Sequence, residues 1–299
     1  MRVFVTGATG FIGSAVVQEL IAAGHRVLGL ARSDAGARAL AAAGAEAQRG
    51  DLDDLGSLRA GAAAADGVVH TAFKHDFENY VANCELDRRV IEALGDALAG
   101  SERPLVVTSG TAVVAPGRLA LETDPPAAGA GSIPRAASEE AAAAVAARGG
   151  RVSVVRLPPT VHGDGDHGFV PMLIALARQK RAAAYVGDGE NVWPAVHRLD
   201  AARLYRLILE HGAAAPRYHG AAEEGVRFRD TAAAIGRRLG VPVVPVSPEA
   251  AGAHFGWFAG FAGVDNPTSS ARTRALLGWR PTGPGLLADL EAAPSYFAA

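Results

Sequence analysis

Residues 3 to 13, Val-Phe-Val-Thr-Gly-Ala-Thr-Gly-Phe-Ile-Gly, constrain this chain more than any other stretch. Val3 to Val5 is a short apolar run, as in a buried parallel strand. Glycines then recur at Gly7, Gly10 and Gly13, with Thr9, Phe11 and Ile12 between them, and the alanine-rich segment from Ser14 to Ala23 has helical character. A strand, a glycine turn and a helix N-terminus together make an anion site, because exposed N–H groups and the helix dipole both point at a phosphate. One glycine permits the tight turn, one lets the backbone approach a pyrophosphate, and one lets helix pack on strand. The alternative is an ordinary strand–helix loop. The position of the turn after the first strand, and the character of the second strand, weigh against that.

A second strand is expected over Arg26–Leu30, opened by Gly24-His25. In an NAD site an acidic residue near the end of this strand binds the ribose 2′-hydroxyl. Here the place reads Leu30-Ala31-Arg32-Ser33. A carboxylate would repel a 2′-phosphate, whereas Arg binds it with charge-assisted bonds. The cofactor expected is therefore NADP(H), held by Arg32 and Ser33. The alternative leaves Arg32 as a solvated charge and gives the ribose to Asp34.

Composition excludes several classes. The net charge is −2 with no basic tract, which argues against nucleic acid or an anionic membrane as the main partner. Cys84 is the only cysteine, so no intrachain disulfide can form, and a cytoplasmic location is expected. With a strand expected from residue 3, no leader peptide is expected, and no run is long and apolar enough to cross a membrane.

Strand and helix alternate through the first half. Strands are expected at 45–48, 67–70, 105–108 and 151–156, with helices near 35–43, 54–60, 78–99 and 134–148. That alternation predicts an α/β fold with a doubly wound parallel sheet. Ligands of such sheets bind at the carboxyl ends of the strands. Asp51, after the third strand, is placed to accept a hydrogen bond from adenine with Leu52 beside it; its other reading is a cap for the helix at 54. Thr71, Ala72 and Phe73 are expected to pass under the ribose and pyrophosphate as backbone. Ser109 and Thr111 follow the fifth strand, and Pro158 the sixth. Asn83 reads as structural, tying the long helix to a strand. After residue 160 the pattern becomes mixed: helices near 169–180, 200–211 and 229–240, short strands near 184–187 and 217–219, an extended stretch at 241–248, and an aromatic cluster at 254–261. Leu277-Gly278-Trp279-Arg280-Pro281 is expected to close the last helix. The domains expected are 1–160, with about 190–215 returning to it, and a smaller mixed α/β substrate lobe over 161–299.

Taken together, several motifs resemble the extended short-chain dehydrogenase/reductase family, which includes nucleotide-sugar epimerases and dihydroflavonol-type reductases. They are Thr6-Gly7-Ala8-Thr9-Gly10-Phe11-Ile12-Gly13, Gly50-Asp51-Leu52, Val69-His70-Thr71-Ala72, Arg156-Leu157-Pro158 through Val161-His162-Gly163, Gly187-Asp188-Gly189, Val196-His197 with Asp200, and the Leu-Gly-Trp-Arg-Pro ending. The resemblance implies a Rossmann domain, a nicotinamide cofactor, a small-molecule substrate, no metal, and a homodimer formed through the long helix and the alanine-rich one after it.

It breaks at the chemistry. The family places a Tyr four residues before a Lys; the Tyr donates the proton. This chain has only Lys74 and Lys180, preceded four residues earlier by His70 and Leu176. Aligning the helix at Ser138-Glu139-Glu140 puts Arg135 at the Lys position and Gly131 at the Tyr position. General acid catalysis contributes roughly 10²–10⁴-fold, so another donor is required, or a substrate that needs less help. Tyr185, His162, His167 and Tyr80 are candidates, as is water held by Ser109 or Thr111. Arg135 is a poor acid but a plausible clamp on the ribose or a substrate anion; its other reading is a surface charge. His162 and His197 are either substrate contacts or structural. His162, Asp164, Asp166 and His167 lack a known metal spacing. Trp257, Phe258 and Phe261 either line an apolar pocket or pack a core or dimer. The function expected is an NADP(H)-dependent reduction of a small, partly apolar carbonyl, imine or enone. The alternatives are a non-catalytic NADP(H) sensor and an epimerase- or dehydratase-like enzyme.

Overall fold

The computed structural model describes residues 1–114, 116–128, 133–211 and 215–297. Its first half runs β1 (Arg2–Thr6), α1 (Phe11–Ala22), β2 (Arg26–Ala31), α2 (Asp34–Ala42), β3 (Glu46–Arg49), α3 (Leu55–Ala63), β4 (Gly67–His70), α4 (Tyr80–Leu98), β5 (Leu105–Gly110), α5 (Ala136–Ala147) and β6 (Val152–Leu157). The second half runs β7 (Thr160–His162), α6 (Phe169–Lys180), β8 (Ala183–Val186), β9 (Val192–His197), α7 (Arg198–His211), β10 (Arg217–His219), β11 (Glu223–Arg227), α8 (Phe228–Leu239), β12 (Val243–Val246), α9 (Ala251–Phe255), α10 (Ala259–Ala262), α11 (Ala271–Leu277) and α12 (Leu286–Ala292).

Seven strands pair in parallel in the order β10-β6-β5-β4-β1-β2-β3. This is the doubly wound Rossmann order with one added edge strand. Side-chain alternation on β1 divides the core. Val3 and Val5 join the cluster formed with Val16 and Leu20 of α1 and Leu204, Tyr205 and Ile208 of α7. Phe4 joins the opposite cluster, with Leu58 of α3, Ile91 and Leu94 of α4 and Val145 of α5. After β6, α7 and β10 return to this sheet.

The rest of the second half builds a third core around Ile174, Trp193, Phe228, Ile235, Phe255 and Phe258. Two small sheets support it, β11-β9-β7 and β12-β8. The extended stretch at 241–248 contributes β12, parallel to β8. Strands β7, β9 and β11 were not expected. Their sequences explain why: β7 follows two prolines, β9 contains Pro194, and β11 reads Glu-Glu-Gly-Val-Arg. None shows apolar alternation. The Leu277-Gly278 signal closes α11 rather than the last helix, with Gly278 left-handed at φ 62°, and α12 comes after it.

Helices α4 and α5 are in close contact through small residues. A Cβ on Gly95 would lie 2.5 Å from Val145 Cγ2. Gly95→Leu should therefore force the two helices apart and lower unfolding stability by about 2 kcal/mol, read as a shift of the urea midpoint. An unchanged midpoint would contradict this packing.

Candidate active site

The glycine turn is built by close backbone approach. Gly7 sits at φ 67°, and a Cβ there would lie 2.7 Å from the Ala72 nitrogen. A Cβ on Gly13 would lie 2.0 Å from the Gly7 carbonyl oxygen. The Gly10 N–H donates to that same carbonyl over 2.9 Å. Thr71 Oγ1 donates to the Thr6 carbonyl (2.8 Å), which ties the end of β4 to the end of β1. Helix α1 starts after Gly10 with no side-chain cap and no acidic residue in its first turn. Its first N–H groups are thus left for an external anion. A dinucleotide pyrophosphate fits this cradle.

At the end of β2 the charges sort themselves. Arg32 has a side chain 77% exposed and lies 3.9 Å from the Asp51 carboxylate. Ser33 caps α2 by accepting from the Gly36 N–H over 3.1 Å. Asp34 faces Arg49 at 3.4 Å. Asp51 accepts from the Asp53 N–H (3.1 Å), and the cap of α3 is Asp54, which accepts from Gly56 and Ser57. The capping alternative for Asp51 is therefore taken by its neighbour three residues on. Leu52 is buried in the second core cluster.

At the ends of β4 and β5 the structure assembles a buried ionic network. Arg135, the first residue before α5, donates from Nη1 to Asp87 Oδ2 (2.6 Å) and to Ser138 Oγ (2.6 Å). Its Nη2 donates to the Thr108 carbonyl (2.8 Å). Its guanidinium lies 4.1 Å from the Phe73 ring centroid, a cation–π contact. Only 11% of its side chain is exposed, so the surface-charge reading of Arg135 fails. Asp87 also accepts from Ser138 Oγ (2.6 Å) and from His70 Nε2 (2.9 Å). The other ring nitrogen of His70 is hydrogen-bonded to Thr6 Oγ1 at 2.6 Å. Burial works to raise the Asp87 carboxyl pKa, but Arg135, His70 and Ser138 hold it well below the usual range.

The other candidates follow β4, β5 and β6. Ser109 is 4% exposed, and its hydroxyl has no hydrogen-bond partner among the described residues. Thr111 Oγ1 donates to Asn266 Oδ1 over 2.6 Å. Tyr80 opens α4; burial, reinforced by Cys84, pushes its phenol up to about 12. The edge of His75 is exposed, yet crowding by its neighbours and the Arg135 charge lower its imidazole pKa. Pro158 is buried just beyond β6.

Other candidates fall elsewhere. His162 does not face a cleft: it is fully buried and holds Asp289 of α12 at 2.8 Å, so it anchors the C-terminal helix. Tyr185 lies half-buried on β8 against the third core. His167 stands edge-on to Phe11 (5.8 Å). His197 stands edge-on to His162, and burial lowers its pKa. Asn83 Nδ2 donates to the Asp76 carbonyl (3.0 Å), in the loop before α4 and not to a strand. Gly131 lies outside the described residues. Among the described residues no group of three His, Cys, Asp or Glu is placed to hold a metal.

Asp87 and His70 were missed in the sequence. The signal was helical spacing: Asn83, Asp87, Val90 and Leu94 share the buried face of α4, so Asp87 is a carboxylate where an apolar residue belongs. Asp87→Asn should leave Arg135 buried without its counter-ion and cost about 3–5 kcal/mol at neutral pH. Because the folded pKa is depressed, the wild-type contribution is full above about pH 4 and is lost only as pH falls through the lower folded value. Urea unfolding of both proteins at neutral and acid pH checks this. A loss at neutral pH that fails to shrink in acid would contradict it.

With that geometry in place, similarity to known proteins can be weighed. Residues 3–220 match the family model for the NAD dependent epimerase/dehydratase family. An uncharacterised protein of Schizosaccharomyces pombe is 52% identical over 302 residues, 99% of this chain and 100% of the relative. A 4-hydroxy-2-methyl-3-oxo-4-farnesyl-3,4-dihydroquinoline-1-oxide ketoreductase of Stigmatella aurantiaca is 31% identical over 71% of this chain and 65% of its own length. The UDP-glucose 4-epimerase of Thermus thermophilus, solved in complex with NAD, superposes with a TM-score of 0.74 at 25% identity, covering 100% of both chains. Matched over more than two thirds of its length, and carrying the glycine cradle at the head of a seven-stranded parallel sheet, the chain belongs to the NAD dependent epimerase/dehydratase family.

Proposed function

We propose that this chain is an NADP(H)-dependent reductase of a small, partly apolar carbonyl, imine or enone. The observation that carries the reading is a fixed guanidinium, Arg135, bonded to the Thr108 carbonyl at the carboxyl end of β5, next in sequence to the unpartnered hydroxyl of Ser109. The family and the ketoreductase relative support a nicotinamide-dependent enzyme. The uncapped start of α1 and the Gly7–Gly13 cradle hold the pyrophosphate, with Thr9, Gly10, Phe11 and Ile12 around it. Thr71, Ala72, Phe73 and Pro158 would hold the ribose and nicotinamide end. When bound, the reduced cofactor supplies a hydride to the electrophilic carbon, and the π pair moves to the oxygen or nitrogen.

Ser109 Oγ donates a hydrogen bond to that receiving atom. The hydroxyl is buried and has no partner among the described residues, so a ligand atom that reached it would complete its hydrogen bonding. Arg135 keeps a permanent positive charge beside the developing anion and steadies the ribose, which is electrostatic help without proton transfer. The proton then comes from water, which is left as hydroxide. Burying Arg135 against Phe73 excludes solvent from the charge and strengthens it.

Arg32 selects the phosphorylated cofactor. Its side chain is exposed at the end of β2 and only loosely approached by Asp51, while Asp34 faces Arg49. Surface pairs of this kind are weak, so Arg32 is free to move onto a 2′-phosphate. Asp51 and Leu52 border the adenine. The buried lone cysteine suits the cytoplasm. The exposed alanine face of α5, at Ala143, Ala146 and Ala147, suits close packing against a second copy. Among the described residues no helix is long and apolar enough to cross a membrane.

The decisive experiment is cofactor oxidation by the purified protein with ketones, aldehydes, cyclic imines and enones, using NADPH and NADH in parallel. Turnover with NADPH supports the reading. The absence of the Tyr–Lys pair favours one other, a cofactor sensor, and tight NADPH binding without turnover on any class would establish it. Arg32→Ala should weaken NADPH binding by about tenfold or more and leave NADH binding little changed, as calorimetry would show. Equal losses would remove the NADP assignment. Ser109→Ala should lower kcat by about 10²-fold with KM nearly constant; an unchanged kcat would remove Ser109 from the reaction.

A further inference from the structure

A row of aromatic rings leads from Arg135 to the surface. Phe73 lies under the guanidinium, and Tyr80 meets Phe73 edge-on with centroids 6.2 Å apart. Phe77 lies nearly parallel to Tyr80 (5.7 Å, 28°) and to Trp257 (4.6 Å, 25°). Phe261 stands edge-on to both Phe77 (6.2 Å) and Trp257 (6.1 Å), and Phe169, the first residue of α6, lies 5.9 Å from Phe77. These rings come from two places. Phe73, Phe77 and Tyr80 follow β4, where ligands of a doubly wound sheet bind, whereas Phe169, Trp257 and Phe261 belong to the second half of the chain. The row thus joins the two halves of the chain.

Two features say what such a row can hold. The first is exposure. Trp257 is 53% exposed, whereas Trp193 and Trp279 are 4% and 1% exposed. An indole left half in water while stacked on a phenyl ring offers a flat apolar face to a ligand. The second is charge. The cations beside the row are engaged: Lys74 by Asp53 at 2.6 Å and Arg135 by Asp87 at 2.6 Å. His75, edge-on to Phe73, has its imidazole pKa lowered by its surroundings. A phosphate or carboxylate entering here would lose water and find both of these cations already paired. A flat, uncharged ring would lose little and gain stacking.

We propose that this row is the specificity subsite of the reaction and selects a flat, uncharged aryl or conjugated group attached to the reducible carbonyl. The inference rests on the reductase reading and names its substrate class. Trp257 and Phe77 are its specificity-determining residues. They act by stacking on the substrate's ring while Ser109 and Arg135 meet its oxygen.

The test compares benzaldehyde with cyclohexanecarbaldehyde, which has the same number of carbons but a puckered ring, in wild type, Trp257→Ala and Phe77→Leu. Trp257 is half-exposed, so its replacement leaves the fold intact. Two readouts are taken: kcat/KM with NADPH for each aldehyde, and quenching of tryptophan emission by each aldehyde, with Trp257→Phe as the control. The expected result is a preference for benzaldehyde that falls about tenfold in Trp257→Ala, with cyclohexanecarbaldehyde little changed and the quenching lost in Trp257→Phe. Turnover of both aldehydes with a ratio that the variants do not move overturns the subsite and leaves the reductase reading standing. Quenching by benzaldehyde alone, without turnover of either, upholds a ring-binding site and overturns aldehyde reduction. Neither turnover nor quenching overturns the subsite, and the reductase reading is then decided by the ketones, imines and enones.

Discussion

The carboxylate of Asp87 is the point at which the architecture and the chemistry depend on one another. Its side chain is 1% exposed, deep in the angle between α4, α5 and the strand ends. A lone carboxylate there would cost several kcal/mol in lost hydration. Three donors offset that cost, from His70, Arg135 and Ser138. Each donor reaches further. His70 carries the connection to Thr6 at the end of β1, and Arg135 carries it to the Thr108 carbonyl at the end of β5. One buried ion therefore sets the relative positions of three strand ends and two helices, all at the edge where ligands bind. The guanidinium cannot swing away without giving up its charge-assisted bond to Asp87.

The two halves of the site are made by opposite means. The phosphate cradle is made by removing side chains, since a single Cβ on Gly13 would lie 2.0 Å from the Gly7 carbonyl oxygen. The proposed reacting end is made instead around a buried ion pair, Arg135 with Asp87. Replacing a titratable Tyr–Lys pair by an arginine has a direct consequence. Arginine stays protonated at every accessible pH, so it can stabilise negative charge but not deliver a proton. A fixed cation beside an unpartnered serine suits a reaction in which hydride arrives first and the proton comes afterwards from water.

How much of this was legible in the sequence depends on what determines each element. The sheet strands β1, β2, β4, β5 and β6 are apolar runs buried on both faces, and sequence reports that directly. Strands β7, β9 and β11 exist because a neighbouring element offers an edge, and prolines and charges hide them. The cradle was legible because glycine has one physical meaning at a close approach. Arg135 was legible as a position but not as a buried ion, because its partner lies 48 residues away and nothing in the sequence brings the two together. His162 was misplaced for a related reason: whether a histidine faces a cleft or a carboxylate depends on α12, which begins more than a hundred residues later. Asp51 and Asp54 show the limit at short range, where either aspartate could cap α3 and only backbone geometry chose between them.

We propose that the reacting end contains a fixed cation and a neutral hydroxyl in place of a titrating acid. The most direct test is the pH dependence of kcat for NADPH-dependent reduction at saturating substrate. Serine and arginine keep one protonation state from about pH 7 to pH 9, the Tyr80 phenol is pushed up to about 12, and His75 is held below its usual pKa. The account therefore predicts a level profile across that interval. A fall in kcat following a single ionisation within it would mean that a titrating side chain delivers the proton, and would contradict the account.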